Sequence, residues 1–572
     1  MTPGGADSES FDAIVVGSGF GGAVTACRLA EADLSVVVLE RGKPYPPGSF
    51  PRTPRGMRAN FWDPASGLHG LFDVWSFSHV RALVASGLGG GSLIYANVML
   101  RKPTDSFVWR DGRTGTDRPW PVGLEALEPH YDRVEKVLRP QPYPTGHEPY
   151  ASTPKTVEFA RAATAAGLEV GLPPLAVSFA AGTDDPEPGV PLPYDDNLHE
   201  RPRYTCRLIG ECDVGCNEGA KNTLDFNYLS AAKRAGAEIR TCCEAIAVTP
   251  AAGGYEVRYL QHVSARGSHR ADLLDPTLDL DRTITARIVV LAAGTFGSTR
   301  LLLGSRAALP RLSPALGRNF SCNGDMLAVA RNCREPGGSR RRPRWRYLDP
   351  SRGPVITASA RPGKGEARGR QIWIQDGGGP ATSEWAWHPA ELPADLRAMG
   401  AAALRRTVAR LRGRRRTHVS ADLAQAFGSA RSSAAMMVLL SVGCDVPGGR
   451  LRLRGDDLEL DWDPNGDSVD YYDATQRIAR RVARELGGHL GPRLLVRRSR
   501  ALTSHPVGGC AMAASAGEGV VDTWGEVFGS PGLFVADGSV MPGPVGPNPS
   551  FTIAALADRF AERMIERAQE GS

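Results

Sequence analysis

The stretch from Phe11 to Glu40 constrains this chain more than any other. Phe11 to Gly17 (FDAIVVG) is a short, β-branched apolar run, which predicts a buried parallel strand. It enters Gly17-Ser18-Gly19-Phe20-Gly21-Gly22, followed by AVTACRLAE with helical apolar spacing, then a second β-branched run that ends in Glu40. The order is strand, G-x-G-x-x-G turn, helix, strand, acidic residue. Gly17 permits the tight turn, Gly19 lets backbone approach a pyrophosphate, and Gly22 allows close helix–strand packing. The helix start, with Phe20 in its first turn, offers free N–H groups and the positive end of the helix dipole to phosphates. Glu40 is placed to accept from a ribose diol, which disfavours a 2′-phosphate. Together these features predict dinucleotide binding.

Composition narrows the class. At 572 residues, 42% hydrophobic and 23% charged, the chain has ordinary globular content and ample length for a large core. Disorder is excluded as its main theme. No apolar run is long enough to span a bilayer, so no transmembrane segment is expected. The N-terminus, MTPGGADSES, has neither a basic region nor an apolar core, and the expectation is a cytoplasmic protein. The formal charge is +6, and only seven of the 68 cationic residues are lysines. Arginines cluster at Arg340, Arg341, Arg342, Arg344 and Arg346 around Trp345, and again between Arg405 and Arg416. With no nucleic-acid-binding signature beside them, they read as solvated surface, and no nucleic-acid partner is expected.

The glycine turn leaves NAD and FAD both open. A second glycine-rich segment, Ser86-Gly87-Leu88-Gly89-Gly90-Gly91-Ser92-Leu93-Ile94-Tyr95-Ala96-Asn97, presents bare backbone suited to close approach to a flat ring. Its plainer reading is a flexible surface loop.

The C-terminal region carries the remaining motifs. Ser504-His505-Pro506-Val507-Gly508-Gly509-Cys510 precedes an apolar strand that ends in Asp537-Gly538-Ser539. Pro542-Gly543-Pro544-Val545-Gly546-Pro547-Asn548-Pro549-Ser550 then leads into a helix whose apolar face carries Ile553, Leu556, Ala557, Phe560 and Met564. With the N-terminal turn, Leu291-Ala292-Ala293-Gly294-Thr295 and Ala220-Lys221-Asn222-Thr223-Leu224, this set resembles the glucose–methanol–choline (GMC) oxidoreductases. Within them the chain is most similar to the branch that includes bacterial cholesterol oxidases.

The resemblance implies an α/β fold with a doubly wound, Rossmann-like FAD-binding domain of discontinuous segments, from residues 9–115, 205–318 and 500–570. It also implies an α+β substrate domain with an antiparallel sheet, from 116–204 and 319–499. It assigns Gly17, Gly19, Phe20, Gly22 and Glu40 to the ADP half of FAD, and sets Gly87, Gly90, Gly91, Ser92 and Asn97 beside the flavin. Ala293, Asp537, Gly538 and Pro549 complete the cofactor site, and His505 and Asn548 face the substrate alcohol as catalytic residues. Alcohol oxidation removes a proton from the hydroxyl and a hydride from carbon, and a histidine can take that proton near neutral pH. Pro549 suits the first helical position, so the last helix is expected to aim its N-terminus at the negative charge of the reduced flavin. Each residue also has a structural reading: His505 as a buried hydrogen-bonded histidine, Asn548 as a helix cap, Asp537 as a turn residue.

Cys206, Cys212 and Cys216 are spaced tightly enough to ligate an iron–sulfur cluster, although buried structural thiols are the main expectation and no metal is assigned. Zinc lacks a fourth nearby ligand. The runs Gly449-Arg450-Leu451-Arg452-Leu453 and Leu458-Glu459-Leu460-Asp461-Trp462 alternate as strands and are assigned to the substrate-domain sheet. Tryptophans 62, 75, 345, 373, 385 and 387 suggest an apolar roof or core. The expected substrate is a bulky hydrophobic alcohol, steroid- or terpenoid-like, oxidised to a ketone with dioxygen or another electron acceptor. Remaining alternatives are a GMC dehydrogenase with a non-oxygen acceptor, an NAD-dependent dehydrogenase and a flavin-binding protein without turnover.

Overall fold

The computed structural model describes residues 9–182, 184–263, 279–337, 343–363, 371–380, 435–491 and 501–570. Arg340, Arg341, Arg342, the arginines from 405 to 416, Trp385 and Trp387 lie outside them.

The β-branched run at the start becomes the strand Ser10–Val16, with Ala13, Ile14 and Val15 fully buried. Burying each larger side chain contributes roughly 1.5–3 kcal/mol, which is why such runs take central places. It pairs in parallel with Val36–Leu39 on one side and Leu280–Leu291 on the other. The sheet continues in parallel to Glu238–Arg240 beyond the first and to Leu533–Val535 beyond the second. Gly254–Gln261 and Cys243–Ala251 extend it as an antiparallel arm on the N-terminal half of Leu280–Leu291. Helix Phe20–Glu31 packs against the last helix, Ser550–Glu570, whose Phe551, Leu556, Phe560 and Met564 are buried. The carboxyl ends of four parallel strands thus deliver Gly17, Glu40, Ala292 and Ala536 to one edge, where an open α/β sheet binds its ligand.

A second sheet of six antiparallel strands runs in the order His489–Leu490, Met326–Arg331, Met437–Gly443, Ile372–Gly377, Ser359–Pro362 and Leu168–Gly171. Helices Pro154–Ala165 and Val469–Glu485 cover one of its faces. The fold is therefore mixed α/β, with a doubly wound layer and a separate antiparallel sheet.

Three expectations need correction. The runs around 450 and 460 form their own hairpin, Arg450–Arg454 with Asp457–Asp461, and are not strands of the large sheet. Leu451 carries its packing against the Gly317 turn and the helix Gly294–Gly304. The segment 116–204 divides between the layers: helix Leu124–Leu138 packs on the last helix through Tyr131–Thr552 and His130–Asp558, while 154–171 joins the antiparallel sheet. The four described tryptophans do not assemble a roof. Trp62 packs on His69 and His262, Trp75 on Phe77 and Phe296, and Trp345 is 39% exposed beneath Arg334. Trp373 alone of the four described lies against the Gly546 loop.

Candidate functional site

Gly17 follows the first strand at φ +100°, a backbone conformation that a side chain disfavours. A Cβ on Gly22 would stand 2.0 Å from the Gly17 carbonyl oxygen, so the helix can press onto the turn only with glycine there. Gly19 occupies the helix cap with no side-chain partner, and nothing lies within 4 Å of where its Cβ would be. The helix N-terminus is thus left without a side-chain cap, as a helix end that receives an anion requires. Glu40 is 5% exposed and accepts from Ser18 N–H (3.1 Å), Ser18 Oγ–H (2.5 Å) and Gly42 N–H (2.8 Å). Burial pushes its carboxyl above the usual range, against the pull of these donors and Arg41.

Ser18 also ties the two glycine segments together, since its Oγ accepts from Gly89 N–H at 2.9 Å. A Cβ on Gly90 would sit 2.6 Å from Gly19 Cα, so the segments lie backbone against backbone. The loop reading of the second segment does not hold. Gly90–Leu93 is a 3₁₀ turn in which Ser92 Oγ donates to Gly89 O and accepts from Leu224 N–H. Gly87 is held between Tyr45 and Leu93, while Gly91 has open space at its Cβ position. The Lys221 ammonium, buried to 1%, bridges Leu93 O, Tyr95 O and Cys212 O at 2.8–3.0 Å. Asn97 is fully buried, at φ +69°, and neither polar atom of its side chain has a partner. Two orphaned amide atoms in a closed site mark a place for a polar ligand. Phe20 is buried edge-on against Tyr95.

From the C-terminal side, Asp537 follows the strand Leu533–Val535. Its carboxylate accepts from Gly294 N–H, Ser298 Oγ, Ser539 N–H and Ser539 Oγ at 2.5–2.9 Å. It joins the Ala293–Gly294 turn to Gly538, and Thr295 Oγ donates to Pro506 O beside His505. Burial raises the Asp537 carboxyl despite these donors.

His505 and Asn548 are held by partners the sequence reading missed. His505 Nδ1 lies 2.7 Å from Asp325 Oδ1, while Asp325 Oδ2 accepts from Thr503 Oγ, Ser504 N–H and His505 N–H. A carboxylate only accepts, so Nδ1 carries the ring proton and Nε2 is the basic nitrogen. Asn548 is 6% exposed, and its Oδ1 accepts from Gln375 Nε2–H at 2.9 Å. The cap reading fails for it: the first helical bond, from Ile553 N–H, goes to Pro549 O, so Pro549 holds the cap position and the helix starts one residue later than expected. The intervening loop is clamped by the Lys102 ammonium, donating to Pro544 O and Val545 O, and by Asn323, bonded to Val545, Gly546 and Pro547 backbone. Asn323 and Asp325 stand two residues apart, so one turn steadies both catalytic candidates. Buried Lys102 is depressed to about 8 by desolvation.

Asp213, in the turn Cys212–Val214 beside Gly90–Leu93, is a further carboxyl near the site. Burial pushes it up to about 6, against the attraction of Lys221 and His505. Cys206, Cys212 and Cys216 are free thiols in one apolar cluster, and burial raises the first two. Among the described residues no group of three His, Cys, Asp or Glu side chains is arranged to hold a metal ion.

Comparison with known proteins shows the family. The family signature described as GMC oxidoreductase matches residues 470–557, and that of an NAD(P)-binding Rossmann-like domain matches 15–51. A cholesterol oxidase of Mycobacterium tuberculosis (strain H37Rv) is 30% identical, the alignment covering 96% of this chain and 90% of that protein. A cholesterol oxidase of Acinetobacter baumannii is 27% identical, covering 97% and 94%. A long-chain-alcohol oxidase of Arabidopsis thaliana is 23% identical, covering 98% and 68%. In fold, the crystal structure of pyridoxine 4-oxidase from Mesorbium loti superposes with a TM-score of 0.53 at 17% identity, over 96% of this chain and 98% of that one. The chain belongs to the GMC oxidoreductases, on their cholesterol oxidase-like branch. It is accordingly an FAD protein, and the open helix cap, the paired glycine turns and the orphaned Asn97 amide fit that cofactor. Among the described residues no helix is long and apolar enough to cross a membrane.

Proposed function

We propose that this GMC oxidoreductase oxidises the secondary hydroxyl of a bulky hydrophobic alcohol, steroid- or terpenoid-like, to a ketone, with dioxygen as the final acceptor giving hydrogen peroxide. The observation that carries the proposal is the Asp325–His505 pair, with an oriented imidazole whose Nδ1 is occupied and whose Nε2 is basic. The two cholesterol oxidase relatives along nearly the whole chain support the substrate class and the acceptor.

In this reading Gly17, Gly19, Phe20, Gly22 and Glu40 hold the ADP half of FAD, and Gly87, Gly90, Gly91, Ser92 and Asn97 line the flavin. Ala293, Asp537, Gly538 and Pro549 close the site from the C-terminal side. Residues 9–115, 205–318 and 500–570, with helix Leu124–Leu138 packed on them, form the cofactor domain. The rest of 116–204 and 319–499 forms the substrate domain. FAD supplies the hydride acceptor. His505 Nε2 takes the hydroxyl proton, and Asp325 stabilises the imidazolium that results. Asn548 Nδ2–H donates to the substrate oxygen as negative charge develops on it. The buried strand Ile372–Gly377 closes over the Asn548 loop and excludes water, which strengthens each of these interactions.

The test is anaerobic titration of the flavoprotein with steroid, terpenoid and simple alcohols, followed by admission of air. Bleaching by a sterol, with recovery and peroxide in air, is the expected result. Bleaching that persists in air would establish a dehydrogenase instead, and bleaching by small alcohols alone would remove the hydrophobic substrate class.

A further inference from the structure

The strand Ile372–Gly377 (IWIQDG) is buried at every position and its side chains alternate. Ile372 and Ile374 join the apolar core on one side, and Asp376 on that side pairs with Lys155 Nζ at 2.5 Å and accepts from Thr357 N–H. Trp373 and Gln375 point the other way, toward the loop that carries Asn548: the Trp373 ring comes within 3.2 Å of a Cβ placed on Gly546. Gln375 has no exposed surface. Its Nε2–H donates to Asn548 Oδ1 at 2.9 Å, and its own Oε1 is buried without a partner. Directly across the ladder from Gln375 is Ser359, whose buried hydroxyl also lacks a partner. Opposed residues on neighbouring strands have Cβ atoms about 5 Å apart, so two polar groups without partners stand side by side on the face of the sheet that carries Gln375.

An asparagine side chain has one accepting end and one donating end, and a single bond to either decides which end is left over. We infer that Gln375 is a positioning residue: by donating to Asn548 Oδ1 it turns the Asn548 Nδ2–H donor toward the substrate oxygen. The inference rests on the proposed role of Asn548. It explains why a neutral amide, and not a carboxylate of the same shape, occupies this place in the strand. An ionised carboxylate at 375 has only accepting atoms. It would draw Asn548 Nδ2–H to itself and present Oδ1 to the substrate oxygen, placing two lone pairs face to face where negative charge develops.

The near-isosteric Gln375→Glu variant makes this a pH experiment. At high pH the introduced carboxylate reverses the bond. At low pH the protonated carboxyl donates to Asn548 Oδ1 and restores the native arrangement. The rate of anaerobic flavin bleaching by a saturating alcohol is measured from pH 5 to 9 for wild type, Gln375→Glu, Asn548→Ala and the double variant. The other charged and titratable groups around the pair are His505–Asp325, Asp445, Cys444, Lys155–Asp376, Arg361, Lys102 and Asp213, and all four proteins share them. The ratio to wild type at each pH therefore isolates position 375. We expect Gln375→Glu to be slower by about 10²-fold at pH 8, the order of one lost donor at a developing oxyanion, and to recover at least tenfold of that ratio on acidification. Asn548→Ala and the double variant should be slow with a flat ratio. Thermal midpoint and the absorption spectrum of the oxidised flavin establish that each variant is folded and loaded.

A flat Gln375→Glu ratio beside a slow Asn548→Ala would overturn the inference and leave the role of Asn548 standing. Wild-type rates in Asn548→Ala would remove the underlying reading itself. Acid recovery that persists in the double variant would also overturn the inference, because Gln375 would then act by another route. If Gln375→Glu fails to fold, Gln375→Met serves instead: without a donor it frees the Asn548 amide to rotate. It should slow bleaching about tenfold in the wild-type background and not at all in Asn548→Ala. Equal slowing in both backgrounds would refute the coupling.

Discussion

Asp325 is the residue on which the proposed proton transfer depends, although it never touches the alcohol. Its carboxylate is directed at the segment 503–505, so it fixes the position and tautomer of His505 together. Asp325→Asn keeps the shape and removes the charge. Turnover should fall by about 10²-fold or more, with flavin content unchanged, as judged by the visible spectrum of the purified variant. Asp213 makes a different prediction, for stability. Its carboxyl titrates near 6 in the folded protein against an ordinary value of 3.8. The folded state therefore binds the extra proton between those values, and stability declines as pH rises through that window. Above pH 6 the full cost is present, at most ~3 kcal/mol. Asp213→Asn should melt higher than wild type at pH 7–8, and the difference should vanish below about pH 4. A thermal shift series across pH reads both limits; equal midpoints at pH 8 would show that the carboxylate is not penalised by burial.

At the scale of elements, the site is two glycine turns pressed together at the ends of parallel strands. Gly22→Val places a side chain where the Gly17 carbonyl lies 2.0 Å from the Cβ, and Gly90→Val does the same against Gly19. Both should purify with little bound flavin, whereas substitution at Gly146, with nothing near its Cβ, no positive φ and far from either turn in sequence, should retain it. Absorbance near 450 nm per protein measures the difference. The first turn was legible in the sequence because its chemistry is local: strand, turn, helix and Glu40 occur in consecutive residues. The second was legible only as composition, and its placement depends on the Ser18–Gly89 bond between distant segments. Asp325 and Gln375 were not legible at all. Asp325 follows a short strand in an Asn-Gly-Asp turn, Gln375 is one polar residue in an apolar strand, and each meets its partner across more than 170 residues. The hairpin near 455 misled for a related reason. Alternation reports a half-exposed strand and says nothing of which sheet receives it.

For the molecule as a whole, FAD is expected to act as internal scaffolding, because its proposed contacts come from segments spread from residue 17 to 549. A ligand that binds only the folded state at a thousandfold excess over its dissociation constant contributes about 4 kcal/mol. Removing FAD should lower the melting temperature by several degrees, and readdition should restore it, monitored by tryptophan fluorescence. The two sheets divide the work. The doubly wound layer presents glycine backbone and the Glu40 and Asp537 turns, while the antiparallel sheet brings Gln375 over the Asn548 loop and, in Asp325, starts from the turn that holds His505.

The central claim is that His505, held by Asp325, takes the substrate proton beside a bound FAD. The measurement that tests it most directly is the rate of anaerobic flavin bleaching by a sterol in wild type and His505→Gln, both loaded with FAD. Bleaching in His505→Gln is expected to be slower by about 10²- to 10⁴-fold, with the flavin spectrum before mixing unaltered. Bleaching at the wild-type rate in a fully loaded His505→Gln would contradict it.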